Sequence, residues 1–202
     1  MNKSVFNIDF QQNSISSKIV VGLERISEVF RTLLWEHAKK LGLSPIQIQI
    51  LIFIDQHKIE LCNVSYLAKE FNVSKPTISD AVKALEKKKL IIKDFSASDS
   101  RSYSIRPSTD GKKIVDVTSN FANPLKEKLE TNDLSTLETV YETLNKLIFS
   151  LNKSGIINVQ RTCYACKFYE RRDGSNFCNY LNTPLYKKDI RLDCPEFSEI
   201  NT

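Results

Sequence analysis

Four of the five cysteines gather near one end of the chain, as Cys163-Tyr164-Ala165-Cys166, then Cys178 after eleven residues and Cys194 after fifteen more. Thiolates are soft donors, and four within 32 residues are enough to close a tetrahedral site around one ion. The Cys-x2-Cys pair is the strong half, because one tight turn points two sulfurs at the same place. Cys178 and Cys194 have to be brought in by folding. The apolar residues around them, chiefly Phe168, Tyr169, Phe177, Leu181, Leu185, Leu192 and Phe197, are too few to hold such a piece together alone. Metal binding would supply the missing folding energy. Zinc suits a closed site without redox chemistry best. The same four thiolates also suit an iron-sulfur cluster, and Cys194-Pro195 matches the Cys-Pro ending of ferredoxin motifs weakly. Disulfide chemistry without metal is the third reading. Cys62, far upstream, reads as a small buried residue.

A second constellation lies in the middle of the chain. Ser74, Lys75, Thr77, Ser79 and Lys83 put hydroxyls and ammonium groups on one outer face at the start of a short helix, and Lys87, Lys88, Lys89 and Lys93 continue the positive charge beyond it. Small polar and basic side chains at a helix N-terminus are what a helix needs to read base edges and phosphates in a DNA major groove. A lysine run at a helix end can equally stay solvated and complement the helix dipole, so its setting has to decide. Further on, Asp99 and Arg101 are spaced to pair, the carboxylate orienting the guanidinium for a narrow minor groove. From spacing alone, an ordinary exposed ion pair is an equal reading.

The elements that must position these groups follow from periodicity. Ile15, Ile19, Leu23, Ile26, Phe30 and Leu33 recur at three- and four-residue steps, predicting a long amphipathic helix to about Lys40, ended by Gly42. Ser44 and Pro45 open a second helix that carries Ile48, Leu51, Ile52 and Ile54 inward. Two short helices follow, with Val64, Leu67, Ala68 and Phe71 inward on the first and Ile78, Val82 and Leu85 on the second. Asn72 suits the left-handed turn between them, and Ser74 caps the second. This is a helix-turn-helix. Leu90 to Phe95 and Tyr103 to Arg106 predict two strands of a hairpin, a wing, around the polar segment carrying Asp99 and Arg101. Helix returns from Asp110 through Ile114, Val117, Phe121, Leu125 and Leu129, and again from Leu134 to Leu151, with Asp133 or Asn132 as cap. Polar residues around Gly155 make 152–162 the expected linker.

The 202 residues are 41% hydrophobic with only 5 glycines and 6 prolines, which fits a folded chain of one or two domains. No run approaches the roughly 20 apolar residues of a membrane helix, and the first residues lack a secretion signal, so a cytoplasmic protein without membrane attachment is expected. The net charge of +5 matters less than where it falls. His37 and His57 lie in or beside separate helical stretches, and neither a nucleophile elbow nor a phosphate-binding glycine loop occurs, so an enzyme is not expected.

The run from Val64 to Lys112 resembles the MarR family. Its pattern is matched by Leu85-Glu86-Lys87-Lys88-Lys89-Leu90-Ile91, by Asp99-Ser100-Arg101 and by Pro107-Ser108-Thr109-Asp110-Gly111, with Lys89 where the family has Gly and Pro107-Ser108 where it has Leu-Thr. Similarity extends over roughly Ile15 to Leu151. The resemblance implies a mainly α fold with a small β wing, a winged helix-turn-helix with long flanking dimerisation helices over 1–153; the cysteine spacing adds, at 154–202, a linker and a small C-terminal metal-binding module. The resemblance also implies Arg101 at the minor groove, Asp99 supporting it, and the face from Ser74 to Lys83 in the major groove. It further implies a homodimer on an inverted-repeat duplex, repression, and a small-molecule effector between the dimerisation and DNA-binding regions. Trp35 and Tyr66 could line that pocket, though core packing suits them better. Two alternatives stay open: an iron-sulfur electron carrier, or a zinc module that recruits a protein to a DNA address. Whether the cysteine module senses metal or redox state or is a passive clip is equally open.

Overall fold

The computed structural model describes residues 4–95, 103–172 and 174–200. A short helix α1 (Ile8–Gln12) leads into α2 (Ile15–Leu41), which ends at Gly42 in the left-handed conformation, φ +61°. Helix α3 (Pro45–Gln56) starts at Ser44, whose backbone N–H donates to the Gln47 carboxamide in a capping box. Then come α4 (Val64–Glu70) and α5 (Lys75–Lys87), the antiparallel strands β1 (Ile91–Asp94) and β2 (Ser104–Pro107), and helices α6 (Thr109–Thr118), α7 (Asn123–Leu129) and α8 (Leu134–Lys153). The expected single helix after Asp110 is two, because Pro124 begins a new one and residues between them turn.

Helix α3 is the centre of the core. It packs against α2, α5, α6 and β2. Ile48, Leu51 and Ile54 are buried as expected, Ile52 is half-buried, and Ile50 and Phe53 are buried as well. A helix enclosed on several sides has no polar face to expose, which a one-sided stripe could not anticipate.

Both helix-turn-helix helices end alike. Asn72 (φ +52°) and Lys89 (φ +58°) take the left-handed conformation, and the next residue's N–H reaches back across the last turn, Val73 to Ala68 and Leu90 to Leu85. At Lys89 this conformation costs a side-chain-bearing residue roughly 1–2 kcal/mol that glycine avoids. Pro107 cannot donate to the wing ladder, yet β2 runs to it, because Ser108 N–H takes over and donates to the Leu90 carbonyl at 3.0 Å. Ser108 also caps α6. Gly111 is required there: a Cβ would stand 2.0 Å from the Leu90 carbonyl oxygen.

Past α8, the chain turns at Gly155 and forms a small three-stranded antiparallel sheet in the order β3 (Tyr169–Arg172), β4 (Ser175–Cys178), β5 (Thr183–Leu185). This module sits against α8, where the Tyr141 hydroxyl donates to the Ile190 carbonyl at 2.7 Å and Lys187 pairs with Glu142 at 2.9 Å. Among the described residues, no helix is long and apolar enough to cross a membrane.

Candidate DNA interface and cysteine site

Helix α5 buries Ile78, Ala81, Val82 and Leu85 against the core, which turns the opposite face outward. Lys75, Ser79 and Lys83 follow at four-residue steps and share that face. Lys75 and Lys83 are exposed and Ser79 is half-exposed. Ser74 and Thr77 are exposed too, but engaged: the Ser74 hydroxyl caps α5 by accepting from Thr77 N–H at 3.2 Å, and the two hydroxyls lie 2.8 Å apart. Lys83 pairs with Asp80 at 3.2 Å, an exposed contact that a phosphate can readily displace.

Lys93 departs from the expected positive stripe. Its ammonium is largely covered, 2.6 Å from Glu86 and over the Tyr103 ring, so it braces the wing and is not offered outward. Exposed charge at the end of α5 and on the way to β1 comes from Lys87, Lys88 and Lys89. Asp99 and Arg101 lie outside the described residues. Trp35 is exposed, against the expectation of core packing, while Tyr66 is half-buried with its hydroxyl accepting from Arg161 at 2.8 Å.

Among the described residues, most of the apolar stripe of α2 finds no cover, although the Phe30 ring meets Phe121. Only Ser17, Leu34 and Ala38 of its 27 residues are buried, whereas Ile15, Ile19, Leu23, Ile26 and Phe30 are exposed. Leu134, Val140, Leu144 and Leu147 of α8 are exposed as well. Adjacent apolar residues left in water on two long helices mark an interaction surface.

The module brings Cys163, Cys166, Cys178 and Cys194 to the wall of one cavity of about 30 Å³, with Leu185 and Tyr169 beside them. All four thiols are unlinked. Local structure explains their convergence. Cys163 and Cys166 flank a single helical turn, Cys166 N–H donating to the Cys163 carbonyl at 3.0 Å, and β-pairing sets Cys178 opposite Tyr169, three residues past Cys166. Cys163 and Cys194 belong to two segments in backbone contact: Cys163 N–H donates to the Arg191 carbonyl and Cys194 N–H to the Arg161 carbonyl, both at 3.1 Å. Arg191 N–H points at the Cys163 sulfur at 3.2 Å, and its guanidinium lies 3.8 Å from the Cys194 sulfur. Burial pushes the Cys163 thiol up and the neighbouring cysteines add to this, although the Arg191 N–H opposes it. Among the described residues, no three His, Cys, Asp or Glu side chains stand in a ready coordination group, so the sulfurs share a cavity without yet closing on a point. Four soft donors, N–H groups aimed at two of them and room for one small occupant are nonetheless what a thiophilic ion requires.

Cys62 is fully buried outside this set, and burial pushes its thiol up to about 11, as suits an inert core residue.

The two regions are joined by a cluster of charged and aromatic side chains around Arg161. Arg161, expected in a solvated linker, is only 10% exposed at its side chain. Its guanidinium donates to both Glu70 oxygens, at 2.6 and 3.2 Å, and to both Asp193 oxygens, at 2.6 and 2.9 Å. It also lies over the Phe53 and Tyr66 rings. His57 Nε2 is 2.9 Å from Asp193 and Nδ1 is 2.8 Å from the Phe53 carbonyl. Its pKa is raised by the hydrogen bond to Asp193, assisted by the Phe53 carbonyl, while burial and Arg161 oppose the shift. Asn158 donates to Asn72 in the helix-turn-helix turn at 2.7 Å, and Lys58 pairs with Glu196 at 3.3 Å. The only sequence sign was an arginine and a histidine without assigned partners.

Residues 41–102 match the model of the MarR family. The fold is similar to the S. aureus MepR–DNA complex, with 22% identity and a TM-score of 0.58 over 65% of this chain and 97% of that one. It is similar to S. aureus MepR in its DNA-binding conformation, with 22% identity and a TM-score of 0.58 over 66% and 98%. A MarR/EmrR family regulator from Acinetobacter sp. ADP1 matches with 21% identity and a TM-score of 0.57 over 69% and 99%. At these identities the likeness establishes the winged-helix fold. No curated protein matches the chain.

Proposed function

We propose that this chain is a MarR-type transcription regulator that binds double-stranded DNA as a homodimer in the cytoplasm. The observation that carries the reading is the outward row Lys75, Ser79, Lys83 on α5, presented by a helix-turn-helix beside a two-stranded wing. MarR family proteins are transcription regulators and not enzymes, and the relatives include a protein solved on DNA. Ser74, Lys75, Thr77, Ser79 and Lys83 act in the major groove, with Lys83 serving a phosphate. Arg101, supported by Asp99, enters the minor groove. The exposed faces of α2 and α8 pack on a second copy, which sets half-site centres about 10 base pairs apart on an inverted repeat. Repression is proposed by analogy with the family, as is a small-molecule effector between the dimerisation and DNA-binding regions.

The four thiols hold one metal ion, zinc by preference because four thiolates complete its tetrahedral shell without a redox role, and an iron-sulfur cluster otherwise. An absorption spectrum separates the two, zinc giving no visible bands.

The reading is tested by selecting duplexes from a random pool and titrating the winner with variants. An inverted repeat is expected. Lys83→Ala should weaken all sequences alike and lower the salt slope by about 0.9, whereas Arg101→Ala should weaken the selected duplex more than a scrambled one. A pool from which no duplex is enriched would overturn it.

A further inference from the structure

We infer that metal at the cysteine site fixes the first helix of the helix-turn-helix in place, and that Arg161 is the positioning residue that connects them. The inference rests on the reading of the four thiols as a metal site and adds what that site regulates.

The connection is continuous. Residues 161–163 and 191–194 run side by side, with an Arg161–Asp193 bridge and two backbone hydrogen bonds that involve Cys163 and Cys194 directly. A metal held by these two sulfurs ties the segments together at the cavity. On the far side of the same pair, the Arg161 side chain leaves the module and reaches α4, while Asp193 holds Arg161 and the His57 ring beyond α3. Arg161 takes Glu70 with two hydrogen bonds and Tyr66 with a third, so three of its donor contacts land on the last two turns of one short helix. Asn158 adds a contact to Asn72 at the turn itself.

A seven-residue helix is marginal without tertiary support, so its orientation depends on what grips it. Leu67 and Ala68 seat its inner face in the core; its outer face is gripped by a nearly buried guanidinium between two carboxylates, a grip that is complete only while Asp193 stays where Cys194 holds it. Opening the cysteine site frees residues 191–194 and withdraws Asp193, leaving Arg161 with its Glu70 and Tyr66 contacts alone. Helix α4 and the turn that sets the entry angle of α5 then loosen. The module touches the helix-turn-helix on the side of α3 and α4, leaving the outward row of α5 uncovered, so this is control of posture and not a block of the DNA face.

Hydrogen exchange of the full-length protein, with zinc as the probe ion and elemental analysis on the same samples, tests this. Removing zinc should speed amide exchange in residues 64–73 by about tenfold in the wild type. Arg161→Met should keep one zinc per chain yet exchange fast in this segment with or without it. Glu70→Gln, which leaves the module untouched, should show the same indifference to zinc and guards against misfolding of the first variant. Zinc bound at one per chain with wild-type exchange unchanged by its removal overturns the coupling while the metal site stands. Zinc dependence retained in both variants overturns the role of Arg161. A protein that takes up no zinc fails at the metal site itself, a separate result read directly from its composition.

Discussion

The winged-helix region and the cysteine module solve the same folding problem with unequal means. Among the described residues, eighteen buried side chains in one cluster serve the first, against three in the module: Cys163, Leu185 and Ile190. Burial stabilises by roughly 25 cal/mol per Å² of apolar surface, so the larger cluster can offset its chain entropy and the smaller one cannot. The module compensates with polar devices: a cavity of thiols, docking onto α8, and a buried arginine. The lesson is that the two regions should fail differently, one by loss of packing and the other by loss of an ion or a charge.

The largest expected difference appears on metal removal. Structural zinc contributes on the order of 10 kcal/mol in small thiolate domains, more than the module's apolar residues can replace. Chelation should therefore make residues beyond about 160 sensitive to trypsin, which has exposed targets at Lys167, Arg171 and Lys187, while 4–95 and 103–153 stay resistant. Peptide mapping reads this directly. Cleavage spread evenly over both regions would show that they share one cooperative core and would break the comparison.

Apolar truncation should invert the order. Leu51→Ala, at a fully buried position of α3, should cost about 2–5 kcal/mol by urea denaturation. Leu185→Ala in metal-loaded protein should cost less, because the thiolate site continues to hold the module. Equal costs would mean that the module relies on packing after all.

This asymmetry also explains what the sequence disclosed. The stripe of α2, the Asn72 turn, the Ser74 cap and the Asp133 cap of α8 were legible because each is set by neighbours a few residues away. The four cysteines were legible as a group because thiols are rare and their spacing is informative. The fold sets all four at the wall of one cavity. Pro124 was overlooked as a helix boundary because the apolar period runs through it. The Arg161 cluster was not legible for a different reason: an ion pair with Glu70 formed across 91 residues leaves no period, and a charged residue in a polar stretch looks solvated; Lys93 likewise reads as one more member of a lysine run, although Glu86 seven residues away and the Tyr103 ring cover it. The interface between the regions is polar, so hydropathy could not find it.

The smallest effect sharpens the comparison at that interface, where proton binding alone should matter. Both nitrogens of His57 face acceptors, the Asp193 carboxylate and the Phe53 carbonyl, which favours the imidazolium; the nearby Arg161 guanidinium works against it. A folded-state pKa raised above the unfolded value of 6.5 means that the folded protein binds the proton more tightly. Its contribution is then complete below 6.5 and declines as pH climbs through the raised value, so module docking should weaken on the alkaline side. With the histidine partly exposed and Arg161 holding the same carboxylate, the change should stay within about 1 kcal/mol. Urea midpoints of metal-loaded protein across this range should fall with rising pH, and His57→Asn should flatten the trend. A decline on the acid side of 6.5 in the wild type alone would reverse the assignment, because it would require a histidine that docks neutral and is expelled by its proton.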